Sequence, residues 1–141
     1  MTSYVRALQK QIANIAPHCE GITFSTLYFG GGTPSLLPPT LLDELLQSIH
    51  SHFSFSDDFQ FNFEGTPQTL GIDGRIPILA SHGVSRLTIG IQSLERHLLQ
   101  KMDRTQQSRV GVGSVIQEAR DCGINTINAV SYTHLTLPTK A

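Results

Sequence analysis

The sequence predicts an α/β fold with parallel strands, and within that class a partial (βα) barrel that is truncated at both ends. Helical and strand-like segments alternate along the chain in the order α-β-α-β-α-β-α-β, which is typical of parallel strands joined by right-handed helical crossovers. The chain has 141 residues, whereas a complete α/β barrel takes roughly 200–250 residues or more. Two strand-like segments have one polar face, although strands covered by helices on both sides are normally apolar throughout. An incomplete barrel with a solvated interior therefore fits better than a doubly wound sheet.

The first two helices and the strand between them are predicted from periodicity and from proline placement. Apolar residues at helical spacing predict a helix over Thr2–Ala16, and a short β-rich run predicts a strand over Thr23–Phe29. A second helix is predicted after Pro38-Pro39-Thr40, because prolines just before a helical run suit its first turn. Thr40 and Asp43 have the spacing of a capping box at its start.

The rest of the chain continues the alternation. In chain order the pattern predicts a strand over Phe59–Glu64, a helical stretch over Gln68–His82, a strand over Val84–Gln92, helices over Leu94–Met102 and Val110–Cys122, and a strand over Ile124–Val130. The strand that ends at Glu64 alternates strictly between phenylalanine and polar residues, and residues 86–92 alternate between aliphatic residues and a polar set that ends at Gln92. Residues 131–141 show no clear periodicity, so we expect a core domain over residues 1–130 and a non-native tail over residues 131–141.

Composition excludes several classes of protein. Hydrophobic residues make up 39% of the chain and charged residues 15%, with a net charge of -1, which argues against a disordered tail, a coiled coil and a nucleic-acid-binding surface. No apolar run approaches the roughly 20 residues that span a bilayer, and the N-terminus lacks the apolar core of a secretory signal, so a cytoplasmic location is expected. Cys19 and Cys122 stand far apart without a CxxC neighbour, which predicts reduced thiols and no metal site in this chain.

Candidate binding residues cluster where the predicted strands end. Parallel α/β folds collect their functional groups at the C-terminal ends of strands. A glycine run allows close approach of the backbone to a ligand, a carboxylate accepts from an ammonium group, and an arginine pairs with a carboxylate. Together they suit a zwitterionic amino-acid ligand, and the candidates are Gly30, Gly31, Gly32, Thr33, Glu64, Gln92 and Arg104.

These residues lie in blocks that identify a family. The segments YFGGGTPSLLPP, NFEGTPQTL, GVSRLTIGIQSLERHLLQKMDR and ARDCGI resemble the radical S-adenosylmethionine enzymes of the oxygen-independent coproporphyrinogen III oxidase type, a group that includes related heme chaperones. The resemblance runs from about Tyr4 to Asn128. It implies S-adenosylmethionine as cofactor, with the glycine run and Thr33 at its methionyl amino group, Glu64 near the same group, Gln92 in contact with the cofactor and Arg104 at its carboxylate.

The resemblance also implies a reaction for the complete protein. A 4Fe-4S cluster would reduce S-adenosylmethionine to a 5′-deoxyadenosyl radical, and that radical would start the oxidative decarboxylation of porphyrinogen propionates in heme biosynthesis. The CxxxCxxC motif that holds the cluster in the family is absent here, so we expect the chain itself to be inactive. Where the family has an acidic ribose contact after the fifth strand, this chain has Val130.

Two other functions remain open from the sequence. One is a heme chaperone with the same barrel, and the other is a small stand-alone nucleotide-binding α/β domain. For the oxidase and for the heme chaperone, the expected partner is a small molecule, porphyrinogen or heme. We expect neither nucleic acid nor a membrane as a partner.

Overall fold

The fold is a parallel sheet with helical crossovers between its strands. A computed structural model describes residues 1–72, 74–103, 107 and 109–131. Within this part of the chain four strands form one sheet in the order β1-β2-β3-β4, and each neighbouring pair is parallel. The strands are β1 (Thr23–Phe29), β2 (Ser54–Gly65), β3 (Arg86–Gln92) and β4 (Thr126–Ser131). The expected α/β class with parallel strands is confirmed.

Helices precede β1 and connect each strand to the next. The described helices are α1 (Thr2–Ile15), α2 (Pro39–His52), α3 (Pro67–Leu70), α4 (Arg75–Ser81), α5 (Arg96–Lys101) and α6 (Arg109–Asp121), with short 3-10 turns at Ala16–Cys19 and Pro34–Leu36. The helical stretch expected over Gln68–His82 is therefore two helices. The helical conformation is interrupted between them because Gly74 has a φ of 79°, in the left-handed region that favours glycine.

The capping box expected at the start of α2 is wrong. Pro38 precedes the helix and Pro39 occupies its first position, so the helix begins before Thr40 and no side chain caps it. A capping box instead starts α3. There the Thr66 side chain accepts from the Thr69 backbone N–H at 3.3 Å, and the Thr69 hydroxyl accepts from the Thr66 N–H at 3.1 Å.

Strand β2 begins five residues earlier than its alternation predicts, at Ser54 rather than Phe59. Its pairing with β1 is interrupted, since Phe24 faces Phe55 while Thr26 faces Gln60. The extra residues of β2 bulge out of the ladder, and strict alternation returns only where the pairing becomes regular again.

The two faces of the sheet differ as the sequence predicts. Phe61, Phe63, Leu87 and Ile89 are fully buried in a core that also takes side chains from α1, α2, α4 and α6. Each such side chain stabilises the fold by about 1.5–3 kcal/mol through burial. The polar face, which includes Gln60, Asn62, Glu64, Arg86, Thr88 and Asn128, lines an open cavity of about 480 Å³. Among the described helices, none is long and apolar enough to cross a membrane.

Candidate ligand site at the strand ends

A cavity of about 240 Å³ lies at the C-terminal ends of the strands. It brings together residues from three of the predicted loops, and its lining consists of Gly32, Thr33, Glu64, Gly65, Thr66, Thr88, Gly90, Gln92 and Val130. Of the predicted site residues, Gly32, Thr33, Glu64 and Gln92 therefore face one space. Arg104 lies outside the described residues.

The glycine run after β1 turns back sharply beside this cavity. Gly31 has a φ of 77° and Gly32 a φ of 58°, so both adopt the left-handed conformation that glycine takes without steric cost. The loop then closes into a 3-10 turn, where the Leu36 N–H donates to the Thr33 carbonyl at 3.0 Å. Gly30 and Gly31 line a neighbouring, mostly apolar cavity of about 430 Å³ between the loop and α1.

Gly30 lies against Glu64, the penultimate residue of β2. A methyl group added to Gly30 would come within 2.9 Å of Glu64 Oε2 and would also collide with the Tyr28 ring. Because glycine has no side chain, Gly30 leaves room for the Glu64 carboxylate. Among the described residues, the hydrogen bond to this carboxylate is made at Oε1, while Oε2 is the oxygen that lies beside Gly30.

Tyr28 is a site residue that sequence reasoning missed. Its phenol donates a hydrogen bond to Glu64 Oε1. This hydrogen bond, together with partial desolvation and the nearby negative charge, raises the pKa of Tyr28 above its ordinary value. The signal was present in the sequence, since alternation along β1 places Thr26 and Tyr28 on one face, which points to the polar side of the sheet.

Gln92 ends β3 in an unusual backbone conformation. Its φ is 64°, which costs a non-glycine residue about 1–2 kcal/mol. The pairing of β3 with β4 shifts between Gly90 and Gln92, and the Ser131 hydroxyl donates to the Gln92 carbonyl at 2.6 Å. Such bulges often re-aim a side chain beside a functional site. Among the described residues, the side-chain oxygen Oε1 of Gln92 is buried without a hydrogen-bond partner.

Cysteine and carboxylate placement does not favour a metal centre in the described part of the chain. Cys19 ends the 3-10 turn after α1, Cys122 follows α6, and both are free thiols. No group of three or more histidine, cysteine, aspartate or glutamate residues among the described residues has the geometry to hold a metal ion.

The parallel sheet and the cavity at its strand ends define an α/β domain of the kind that collects binding groups at the C-terminal ends of its strands. The solved structure described as "Coproporphyrinogen III oxidase (HemN) from Escherichia coli is a Radical SAM enzyme" matches with a TM-score of 0.85 and 26% identity, over 92% of this chain and 30% of that one. The chain is homologous to one segment of the oxygen-independent coproporphyrinogen III oxidases and HemW heme chaperones, which confirms the resemblance seen in the sequence.

Curated relatives from both branches match most of the chain. The oxygen-independent coproporphyrinogen III oxidase of Escherichia coli is 27% identical over 125 residues, which cover 89% of this chain and 27% of that protein. The heme chaperone HemW of Bacillus subtilis is 30% identical over 126 residues, which cover 89% of this chain and 33% of that protein. The chain thus spans about a third or less of the length of these relatives. No protein-family model matches it.

Proposed function

We propose that this chain is the S-adenosylmethionine-binding part of a radical enzyme that oxidatively decarboxylates porphyrinogen propionates. The observation that carries the proposal is the single cavity in which Gly32, Thr33, Glu64 and Gln92 converge, on a fold that matches HemN. The relatives that bear the oxidase name supply the substrate class.

Two polar atoms around the cavity that have no partner among the described residues fit the polar end of S-adenosylmethionine. Glu64 Oε2 is placed to accept from the methionyl ammonium group, and the buried Gln92 Oε1 offers a second acceptor. The glycine run and Gly90 let the ligand approach the backbone; at Gly90 an added methyl group would lie 3.0 Å from Gln92 Nε2. S-adenosylmethionine supplies radical chemistry when it is bound beside an iron–sulfur cluster.

The rest of the ligand extends over the polar face of the sheet. The strand-end cavity shares Glu64, Thr88 and Val130 with the larger cavity of about 480 Å³, which runs across all four described strands. The amide and hydroxyl groups there suit the ribose and base, which need donors and acceptors rather than charge.

The described residues do not fit a 4Fe-4S cluster. Such clusters are held by cysteine thiolates, and this chain has two cysteines, on separate elements. We therefore infer that the chain by itself binds no cluster and catalyses no radical reaction. Anaerobic reconstitution with iron and sulfide tests this, and stoichiometric cluster absorption with 5′-deoxyadenosine formation would contradict it.

Calorimetric titration of the purified chain with S-adenosylmethionine tests the binding site. Hydrogen bonds to charged groups contribute about 1.5–3 kcal/mol, so Glu64→Gln should weaken binding by roughly 10- to 100-fold. Glu44→Gln is the matched control, because it makes the same chemical change at an exposed residue of α2 that lines neither cavity. Absence of binding to the unmodified chain, or equal effects of the two substitutions, would reject the site.

A heme-binding chaperone is the second candidate. The HemW proteins of Bacillus subtilis and Buchnera aphidicola are 30% and 32% identical to this chain, against 27% for the Escherichia coli oxidase. Titration of the chain with heme, followed by the Soret absorption, separates the two. Saturable binding of one heme per chain favours the chaperone, and a linear response like that of heme in buffer favours the oxidase.

A further inference from the structure

Arg75 is a charged residue in an unexpected place. It is the first residue of α4, and only 1% of its surface is exposed. Its guanidinium donates to the Leu37 carbonyl at 2.6 Å and to the Thr69 carbonyl. Leu37 follows the glycine-rich loop after β1, and Thr69 belongs to the loop-and-helix segment after β2. One side chain therefore joins the segments behind both halves of the proposed site.

The energetics of burial argue against Arg75 as ordinary core packing. A buried charge is costly unless it is paired and hydrogen-bonded. No carboxylate lies within ion-pair distance of Arg75 in the described part of the chain, and its Nε is buried without a partner. Among the described residues the guanidinium gains two charge-assisted bonds to carbonyls, and its planar fork is suited to holding two acceptors at a fixed separation.

A hydrogen bond between Ser35 and Thr69 also connects the two segments. The hydroxyls of Ser35 and Thr69 lie 2.5 Å apart, and Ser35 is fully buried. The same Thr69 hydroxyl accepts from the Thr66 N–H in the capping box. The fit is tight, because a methyl group on Gly65 would lie 2.6 Å from Ser35 Oγ. The two loops are thus in contact, and both the Ser35–Thr69 hydrogen bond and the Arg75 guanidinium join them.

We propose that Arg75 is a positioning residue that sets the distance between the glycine-rich loop and the Glu64–Thr66 segment, and hence the shape of the ligand cavity between them. Arg75 does not line that cavity, so it acts only through the loops it holds. The inference deepens the proposed binding of S-adenosylmethionine and rests on it for the identity of the ligand. The arrangement of the loops can be tested without any ligand.

The first measurement is made on the ligand-free chain. Backbone amide resonances of Gly31, Gly32, Gly65 and Thr66 are compared in the unmodified chain and in Arg75→Met, Arg75→Lys and Ile76→Val. Ile76 is fully buried on the same helix and serves as the control for lost packing. Arg75→Met should shift the amides of both loops together, while Ile76→Val should leave them in place. Arg75→Lys should shift one loop more than the other, because a single ammonium does not reproduce the fork.

The second measurement is the affinity for S-adenosylmethionine, at a temperature where each variant is folded. Arg75→Met should weaken binding by about tenfold or more, and Ile76→Val by less than about twofold. If Arg75→Met does not fold, Arg75→Lys decides by the same criterion. Loop resonances or affinities that change no more for Arg75 variants than for Ile76→Val would overturn the proposal. If the unmodified chain binds no S-adenosylmethionine, the proposed ligand is wrong, and the resonances alone decide the role of Arg75.

Discussion

Tyr28 and Glu64 are joined by a hydrogen bond from the phenol to Oε1, across the pair formed by β1 and β2. Tyr28 itself faces Asn62 in the ladder, so its ring leans along the sheet toward the strand ends. The bond occupies Oε1, and among the described residues Oε2 is the oxygen that could accept from the proposed ligand. The edge strand therefore orients the acceptor at the centre of the proposed site.

This bond predicts an elevated tyrosine titration. Because the neutral phenol donates to Glu64, the pKa of Tyr28 is raised above its ordinary value of about 10. The folded state thus holds the Tyr28 proton more tightly than the unfolded state does. Its contribution to stability is present at neutral pH, begins to fall as pH passes the ordinary pKa, and is gone above the raised one. Absorbance at the phenolate band should show one tyrosine that titrates late.

Two variants test whether Tyr28 is the tyrosine responsible for the late component of the titration. Tyr28→Phe should remove the late component, and Glu64→Gln should move it back toward the ordinary range, since the charge and the strongest acceptor are lost. A late component that survives Tyr28→Phe would show that another tyrosine is responsible.

A second prediction contrasts two exposed glycines. Gly31 and Gly113 both have open space where a methyl group would be placed, but only Gly31 has a positive φ. Gly31→Ala should therefore lower the free energy of unfolding by about 1 kcal/mol, because alanine is strained in the left-handed region. Gly113→Ala, inside α6, should raise it by about 0.5–1 kcal/mol through helix propensity. Urea unfolding measures both, and changes of the same sign would contradict the assigned backbone conformations.

A third prediction concerns the two faces of β2. Phe61 is fully buried and Gln60 is exposed on the polar face. Phe61→Ala should cost about 3–5 kcal/mol because it leaves a cavity in the core, whereas Gln60→Ala should change stability by less than about 0.5 kcal/mol. Comparable losses of stability in the two variants would mean that the face of β2 carrying Phe61 does not pack in the core.

Local patterns predicted the convergence of Glu64 and Gln92 on one cavity, because period-two alternation ends in a polar residue on each strand and parallel strands end at one edge. Their role as site residues stays a prediction. The same pattern would have found Tyr28. The bounds of β2 were missed because the bulge opposite Phe24 depends on the neighbouring strand.

No local pattern in the sequence predicted the burial of Arg75. An arginine between glycines and a short apolar stretch is typical of a helix surface, and its burial depends on two carbonyls, 38 and 6 residues away along the chain. Long-range acceptors of this kind leave no periodicity in the sequence. The resemblance to a family identified the loops on either side of the site but not the residue that holds them together.

The last prediction separates backbone strain from binding at Gln92. Its left-handed φ costs about 1–2 kcal/mol, and its buried Oε1 has no partner in the part of the chain that the structure describes, so we expect Gln92 to lower the stability of the ligand-free fold. Gln92→Gly relieves the strain, while Gln92→Ala removes the same side chain but keeps the strain. We expect Gln92→Gly to be more stable than Gln92→Ala by about 1 kcal/mol in urea unfolding.

The reference for this comparison is Gln60, in β2 and without a positive φ. There the glycine variant should be less stable than the alanine variant, because glycine loses more conformational freedom on folding. Both Gln92 variants should weaken S-adenosylmethionine binding to the same extent, since both lose the side-chain amide. If the strained conformation of Gln92 positions its side chain for the ligand, Gln92→Gly should be more stable than Gln92→Ala and should bind S-adenosylmethionine less tightly than the unmodified chain does. If Gln92→Gly were instead less stable than Gln92→Ala, the left-handed conformation at the end of β3 would be excluded.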